Sequence, residues 1–450
     1  EIFHSKQNAL WYDMKQLDEA GFIKLVRTEK VRGTVKKYYR AVAKNYFVDI
    51  SLGTANLEKT HLIHNLVDSE IEDWHREKIA KISFRDLAEK IINKNMAVKE
   101  NEKIAISYQP VHQKLVEDLV VEIAKKGAYA IPIFGTKRME YNFIRNVPVE
   151  HSCKDVIDDF LLEHIDAHII FSGDFLDDSS LTKDMKEKSD LIEAAKRKNV
   201  RKTFKKDVRY LTIDTLQRNS FSDKSPHKKK GAEESEILRS ELYWKALFTE
   251  PDVINEKTSY VKKQLEQAKQ IKVEDGNGGY LNLKFQGTKH IIVKNGHLDH
   301  ACDDTEIPGG LVVALLKNAT INGNLHTDFA YLYDDEFLDV NIKIKNNKII
   351  DIKADHDNEK LLSIFKAAEG DKDMIGSFCI GMNPAIRQNM HHLYINSKIF
   401  GGVSLQVGWD EADQSDIDSN MIAQFFLLNK TIYVDGKILF INGKLSEGTS

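Results

Sequence analysis

Two groups of residues in this 450-residue chain have types and spacings that could do chemistry. At the front, Lys6, Gln7, Asn8, Trp11 and Tyr12 fall within Ser5 to Ala20, where Ala9, Leu10, Met14 and Leu17 recur at helical spacing. Arg27, Lys30, Arg32, Lys36 and Lys37 follow around Arg32-Gly33-Thr34. Gln and Asn can pair bidentately with adenine, and clustered cations meet phosphates, so this chemistry would be nucleic-acid recognition. In the last third, glycine-rich blocks stand near carboxylates and histidines: "EIPGG" from Glu306, "IGSFCIGMNP" from Ile375, "GGVSLQVG" from Gly401 and "SDIDSNMI" from Ser415. Blocks of this kind can frame a metal centre if they carry about three ligands and leave a position open. Further donors lie close by in His391, His392, Asp410, Glu411, Asp413 and Asp416. Adjacent histidines on a regular element point apart, and an acidic loop is usually solvated. Cys379, between Phe378 and Ile380, reads as core.

The elements that must position these residues are legible as patterns. Ser5 is placed to cap the first helix and Gly21 to end it, and Phe22 to Val26 and Val35 to Ala41 read as two strands flanking a basic loop. A charged tract with Leu62, Leu66, Ile71, Trp74, Ile79 and Leu87 reads as connector helices. Ile104 to Ser107 is a short apolar run, and Leu115, Leu119, Val120 and Ile123 then share one helical face. Gly127 stops that helix before a second run, Ala128 to Phe134, which completes a β-α-β unit. Ala167 to Phe171 adds a strand and Asp190 to Arg197 a helix, so the middle of the chain reads as an open α/β layer. Beyond Gly279 the texture is short strands: Tyr280 to Phe285, His290 to Val293, Val340 to Ile344, Ile349 to Ile352, and a final pair around Asp435-Gly436 that signals a hairpin.

The order helix, strand, basic loop, strand in "SKQNALWYDMKQLDEAGFIKLVRTEKVRGTVKKYYRAV" resembles the recognition helix and wing of an ArsR-type winged helix. The resemblance implies binding of double-stranded DNA, with the helix residues at base edges and the wing cations at phosphates. It also implies helices upstream of Glu1. Winged helices also serve as protein-docking modules, in which Trp11 or Tyr12 simply packs under the wing.

From about residue 100 to 445 the chain resembles the thermophilic metalloaminopeptidases of the aminopeptidase T type, with the four blocks in family order. That family holds two metal ions through carboxylates and histidines in these blocks. At the matching positions this chain has Leu311 and Ser377 for glutamates, Ser404 for a histidine, and Asp418 and Asn420 for a histidine and an aspartate. The pattern predicts that no metal cofactor is bound, that the chain is no enzyme, and that these five positions could instead line a pocket for a peptide or other small polar effector.

Composition limits the alternatives. A hydrophobic share of 42% supports substantial cores, and no apolar run approaches the 18 residues of a membrane-spanning helix. Three cysteines, Cys153, Cys302 and Cys379, are too few for a disulfide framework, which fits a reducing, cytoplasmic setting. Net charge is −4, yet residues 1–50 hold 10 Lys/Arg against 6 Asp/Glu. The fold expected is mixed α/β and α+β: a partial winged helix over 1–56, a helical connector over 57–99, an α/β part over 100–278 and a strand-rich part over 279–450. The function expected is a DNA-binding transcriptional regulator, a homodimer whose aminopeptidase-like body is inactive. The alternatives are an active metal-dependent aminopeptidase with an appended winged-helix module, and a protein-binding scaffold.

Overall fold

The computed structural model describes strands Ile23–Val31 and Thr34–Ala41 and residues 83–446, apart from 153–160, 162, 173–180, 183, 190, 193–207, 215–241, 277, 299–303, 334 and 410–416. Residues 1–80 and 81–450 form separate compact units. In the first, β1 (Ile23–Val31) and β2 (Thr34–Ala41) are an antiparallel hairpin in which Glu29 pairs with Lys36 and Lys30 with Val35. These are the two strands expected around the basic loop. The expected recognition helix and most of the expected connector lie outside the described residues.

The second unit begins with α1 (Phe84–Lys90), capped by the Ser83 side chain, which accepts from the Asp86 backbone N–H. The β-α-β unit forms as its periodicity predicts. β3 (Lys103–Tyr108) runs into α2 (Gln113–Lys125), whose Leu115, Leu119 and Ile123 are buried, and β4 (Tyr129–Phe134) returns parallel to β3. With β5 (Ala167–Ser172), β6 (Arg209–Asp214) and β10 (Asp304–Ile307) these strands make a parallel sheet in the order β10-β6-β5-β3-β4. The edge strand β10 comes from the strand-rich last third, so that part of the chain completes the α/β layer.

One step past β10 the chain changes sheets. β11 (Leu311–Leu315) pairs between β9 (Ile291–Lys294) and β15 (Ile375–Gly381) in a large antiparallel sheet. The "EIPGG" block is therefore the crossover between two sheets. Gly310 takes φ of +115°, and a Cβ there would lie 2.6 Å from the Asn383 backbone nitrogen, so only glycine fits. Asn383 belongs to the second block and ties the two together: its Nδ2 donates to the Gly309 carbonyl at 2.8 Å, and the Met382 N–H donates to the Gly310 carbonyl at 2.8 Å.

The large sheet continues through β16 (Val403–Val407), β17 (Ala423–Leu427) and the long β12 (Ala319–Leu332), then through β8 (Tyr280–Phe285) and β7 (Gln270–Glu274) to the C-terminal strands, while β13 (Asp335–Lys345) pairs with β12 and with β14 (Lys348–Ala354). The final hairpin joins β18 (Thr431–Val434) to β19 (Lys437–Ile441) through Asp435 and Gly436, both at positive φ as a two-residue turn requires. One face of the sheet packs against α3 (Pro251–Gln267), through Val261 and Leu265, and α4 (Asn358–Ala367), through Leu361. The other face shares a core with the α/β layer, where Phe329, Tyr331 and Phe426 meet Ile106, Leu211 and Ile307.

Candidate functional site

Leu311, Ser377 and Ser404 come together on one face of the large sheet. Alternation places Leu311, Val313 and Leu315 on the same side of β11, and the register sets Leu315 opposite Ser377, Val313 opposite Cys379, and Cys379 opposite Ser404. All are buried, and Leu311, Val313, Leu315 and Cys379 form an apolar cluster with Ile292. Cys379 is thus a core residue. Ser404 is engaged in the same face, accepting from Gln424 Nε2 at 2.8 Å.

Asp418 and Asn420 stand apart, exposed on the segment before β17. The Asp418 carbonyl accepts from the Asp371 N–H at 2.9 Å, Asn420 Oδ1 accepts from the Glu369 N–H at 2.8 Å, and the Asn420 carbonyl accepts from the Tyr333 hydroxyl at 2.9 Å. These bonds hold a loop. The five positions therefore divide between a filled sheet face and an exposed rim.

His391 and His392 also diverge. His391 Nδ1 lies 2.7 Å from Glu336 Oε2, while His392 caps α5 (Leu393–Asn396) through its own Nδ1, which accepts from the Ile395 N–H at 3.3 Å. Burial acts to raise the Glu336 carboxyl's pKa, but the hydrogen bond and charge of His391, with a bond from Asn389, hold it below its ordinary value.

A second polar constellation has no counterpart in the motif reading. Ser172, Asp214 and Glu306 sit at or near the C-terminal ends of the neighbouring parallel strands β5, β6 and β10. Into them reaches the fully buried Lys398, with Nζ 2.7 Å from Asp214 Oδ2, 3.0 Å from Glu306 Oε1 and 2.9 Å from the Tyr394 carbonyl. Ser172 donates to Asp214 Oδ1 at 2.8 Å, and the Tyr243 hydroxyl donates to the Asp214 carbonyl at 2.7 Å. Burial would strip the ammonium of its proton, but the two carboxylates outweigh it and raise its pKa above the ordinary lysine value. Glu306 was visible in its block; Lys398 and Asp214 are 184 residues apart, and only the crossover of sheets joins them.

A third pair, Ser107 on β3 and His168 on β5, lies 2.8 Å apart between the Ser107 hydroxyl and His168 Nε2. Burial lowers the His168 pKa to about 4, so the ring is neutral near pH 7.

A metal ion at the five block positions would need ligands that the residues there do not supply. Leu311 offers no lone pair, Ser377 and Ser404 are neutral hydroxyls in a packed face, and Asn420 Oδ1 already accepts a backbone bond. Among the described residues no group of three His, Cys, Asp or Glu side chains is placed to hold a metal. The fit fails at these positions.

A parallel layer and a large antiparallel sheet that share one core make a two-part α/β body. The family model for thermophilic metalloproteases (M29) matches residues 80–397, well over half of the chain, and the chain belongs to that family. Among solved structures it is similar to wild-type AmpT from Thermus thermophilus, with a TM-score of 0.58 and 13% identity over 80% of this chain and 98% of that one. It is also similar to 2,5-dihydroxypyridine dioxygenase from Pseudomonas putida KT2440, with a TM-score of 0.53 and 12% identity over 81% of this chain and 97% of that one. At these identities the likeness shows a shared fold, and the two names show that one fold serves different chemistries. No curated protein sequence matches.

Family membership corrects the expectation that the chain is no enzyme. The expectation rests on five substituted positions in four blocks, but the family match ends at residue 397, so the blocks holding Ser404, Asp418 and Asn420 lie beyond it. Loss of ligands at those positions therefore does not remove the chain from a metalloprotease family. The front-end residues are placed only in part. Arg27 and Lys30 lie on β1, and Lys36 and Lys37 on β2, with Lys37 in register with Thr28. Lys6, Gln7, Asn8, Trp11, Tyr12 and Arg32 lie outside the described residues. No helix among the described residues is long and apolar enough to cross a membrane.

Proposed function

We propose that the chain is a peptide-hydrolysing enzyme of the metal-dependent aminopeptidase type with an appended basic module. The observation that supports it is the family match over residues 80–397. The five block positions do not fit a metal and no other group of three donors among the described residues is placed to hold one, so metal dependence is the part of this reading that the experiment decides. The test is purified full-length protein, with and without added zinc, cobalt or manganese, against a panel of aminoacyl substrates, with metal content measured in parallel. Turnover well above background, abolished by chelation, is expected. Background rates with every metal would overturn the reading.

A second reading concerns the front end. The β1-β2 hairpin flanks the basic loop, as a wing requires, and this supports a reading of the front end as a module that binds double-stranded DNA; a homodimeric arrangement is part of the same proposal. Replacing Arg32 and Lys36 by Ala should weaken binding across sequences and lower the salt slope by about one per lost phosphate contact. Replacing Gln7 or Asn8 should instead relax sequence preference. Fluorescence anisotropy with a pool of duplexes at several salt concentrations measures both. Unchanged binding after all four substitutions would place the interface elsewhere.

A further inference from the structure

A cleft of about 550 Å³ opens on the body, where the segments leading into β16, following β17 and following β19 meet. Its volume lies in the range of small-molecule sites. Three cations line it, Lys257, Arg387 and Lys444, and no carboxylate is among the lining residues. Its apolar wall is formed by Ile399, Phe400 and Leu428.

The walls are preformed. Gly401 takes φ of +71°, and the carbonyl oxygen of Gly443 lies 2.0 Å from where a Cβ would be, so the two segments are in backbone contact. Arg387 is fixed in orientation: its guanidinium carbon sits 4.1 Å from the centre of the Phe400 ring, and its Nε donates to the Pro384 carbonyl at 3.0 Å. The Nε is thereby used, and the planar fork retains its terminal N–H groups for a carboxylate or phosphate. No carboxylate is within ion-pair distance of Arg387, Lys257 or Lys444 among the described residues, whereas nearby Lys430 is paired with Asp328 at 3.1 Å. Partial burial without a counterion lowers the Arg387 pKa, consistent with a cation held short of compensation.

Three cations without a carboxylate, beside an aromatic and aliphatic wall, form a site for an anion that carries an apolar portion. We infer that this cleft binds a small carboxylate- or phosphate-bearing molecule, its acidic group on Arg387, Lys257 and Lys444 and its apolar portion against Phe400, Ile399 and Leu428. The assignment is independent of peptide hydrolysis, since none of these residues belongs to the four-block face or the Lys398 cluster.

Isothermal titration calorimetry of the full-length protein tests it with four probes: N-acetyl-phenylalanine, its neutral amide, phenyl phosphate and inorganic phosphate. Saturable binding of at least one apolar acid is expected, with the amide at least about tenfold weaker, in keeping with a lost charge-assisted contact. Preference for phenyl phosphate over N-acetyl-phenylalanine would identify a phosphate ligand, and the reverse a carboxylate; either supports the assignment. Lys257→Gln with Lys444→Gln, which removes no side-chain hydrogen bond among the described residues, should weaken binding about tenfold or more, and Arg387→Gln should do the same. Absence of saturable binding by both apolar acids, equal binding of the amide, or unchanged affinity in the Lys257→Gln/Lys444→Gln protein would overturn it. Binding of inorganic phosphate as tight as phenyl phosphate would also overturn it, because the apolar wall would then contribute nothing.

Discussion

Replacing Lys398 by methionine should destabilise the body by about 3–5 kcal/mol, the scale for removing one partner of a buried ion pair. The ammonium is fully buried between Asp214 and Glu306, and methionine fills similar volume while leaving two carboxylates facing each other without a cation. The effect should reach both layers, because Asp214 lies on β6 and Glu306 on β10 in the parallel sheet, while Lys398 leads into the large sheet. Adding Asp214→Asn and Glu306→Gln to the methionine variant removes the stranded charges and should recover part of the loss. Because the folded pKa of Lys398 is raised, its contribution is complete below the ordinary lysine value of 10.5 and is lost only as pH rises through the higher folded value. Chemical denaturation of the three proteins at pH 7 measures this. A loss under about 1 kcal/mol for the single variant would show that the cluster is solvated and does not bind the layers together.

Acidification between about pH 6.5 and 4 should cost roughly 3 kcal/mol through His168 alone, on the scale of 1.36 kcal/mol per pH unit of separation between folded and unfolded pKa values. The sign follows from proton binding. In that window the unfolded chain takes up a proton on this imidazole and the folded chain does not, so falling pH favours unfolding. Below about 4 both states are protonated and this group adds nothing more. His168→Gln retains a hydrogen-bonding group for Ser107 and cannot titrate, so it should flatten the stability profile across the window. Parallel profiles for the two proteins would assign the acid sensitivity to other groups.

Local rules fix an element where they act alone. Leu115, Leu119 and Ile123 recur at helical spacing, and they are the buried face of α2; Gly127, at φ of +73°, ends that segment. Asp435-Gly436 between two apolar runs demanded a two-residue turn, and the hairpin forms there. Where side chains from distant segments must meet, local patterns do not specify the meeting. Glu306 belongs to a glycine block that is legible in the sequence, but its strand's place in the parallel sheet depends on β10 pairing with β6, nearly 100 residues earlier in the chain.

The same division applies to function. The sequence by itself determined the family's body and order of blocks, because glycines such as Gly309 and Gly310 are dictated by backbone geometry, which persists when side chains change. It also determined that Leu311, Ser377 and Ser404 bring no charged ligand, since ligand chemistry belongs to the residue type. The tertiary structure decided which of those positions meet. It gathered the three on a filled sheet face, left Asp418 and Asn420 on an exposed rim, and drew Lys398, Asp214 and Glu306 into one buried cluster. Local periodicity carries no information about such meetings, because they depend on which strands pair after the chain crosses from one sheet to the other.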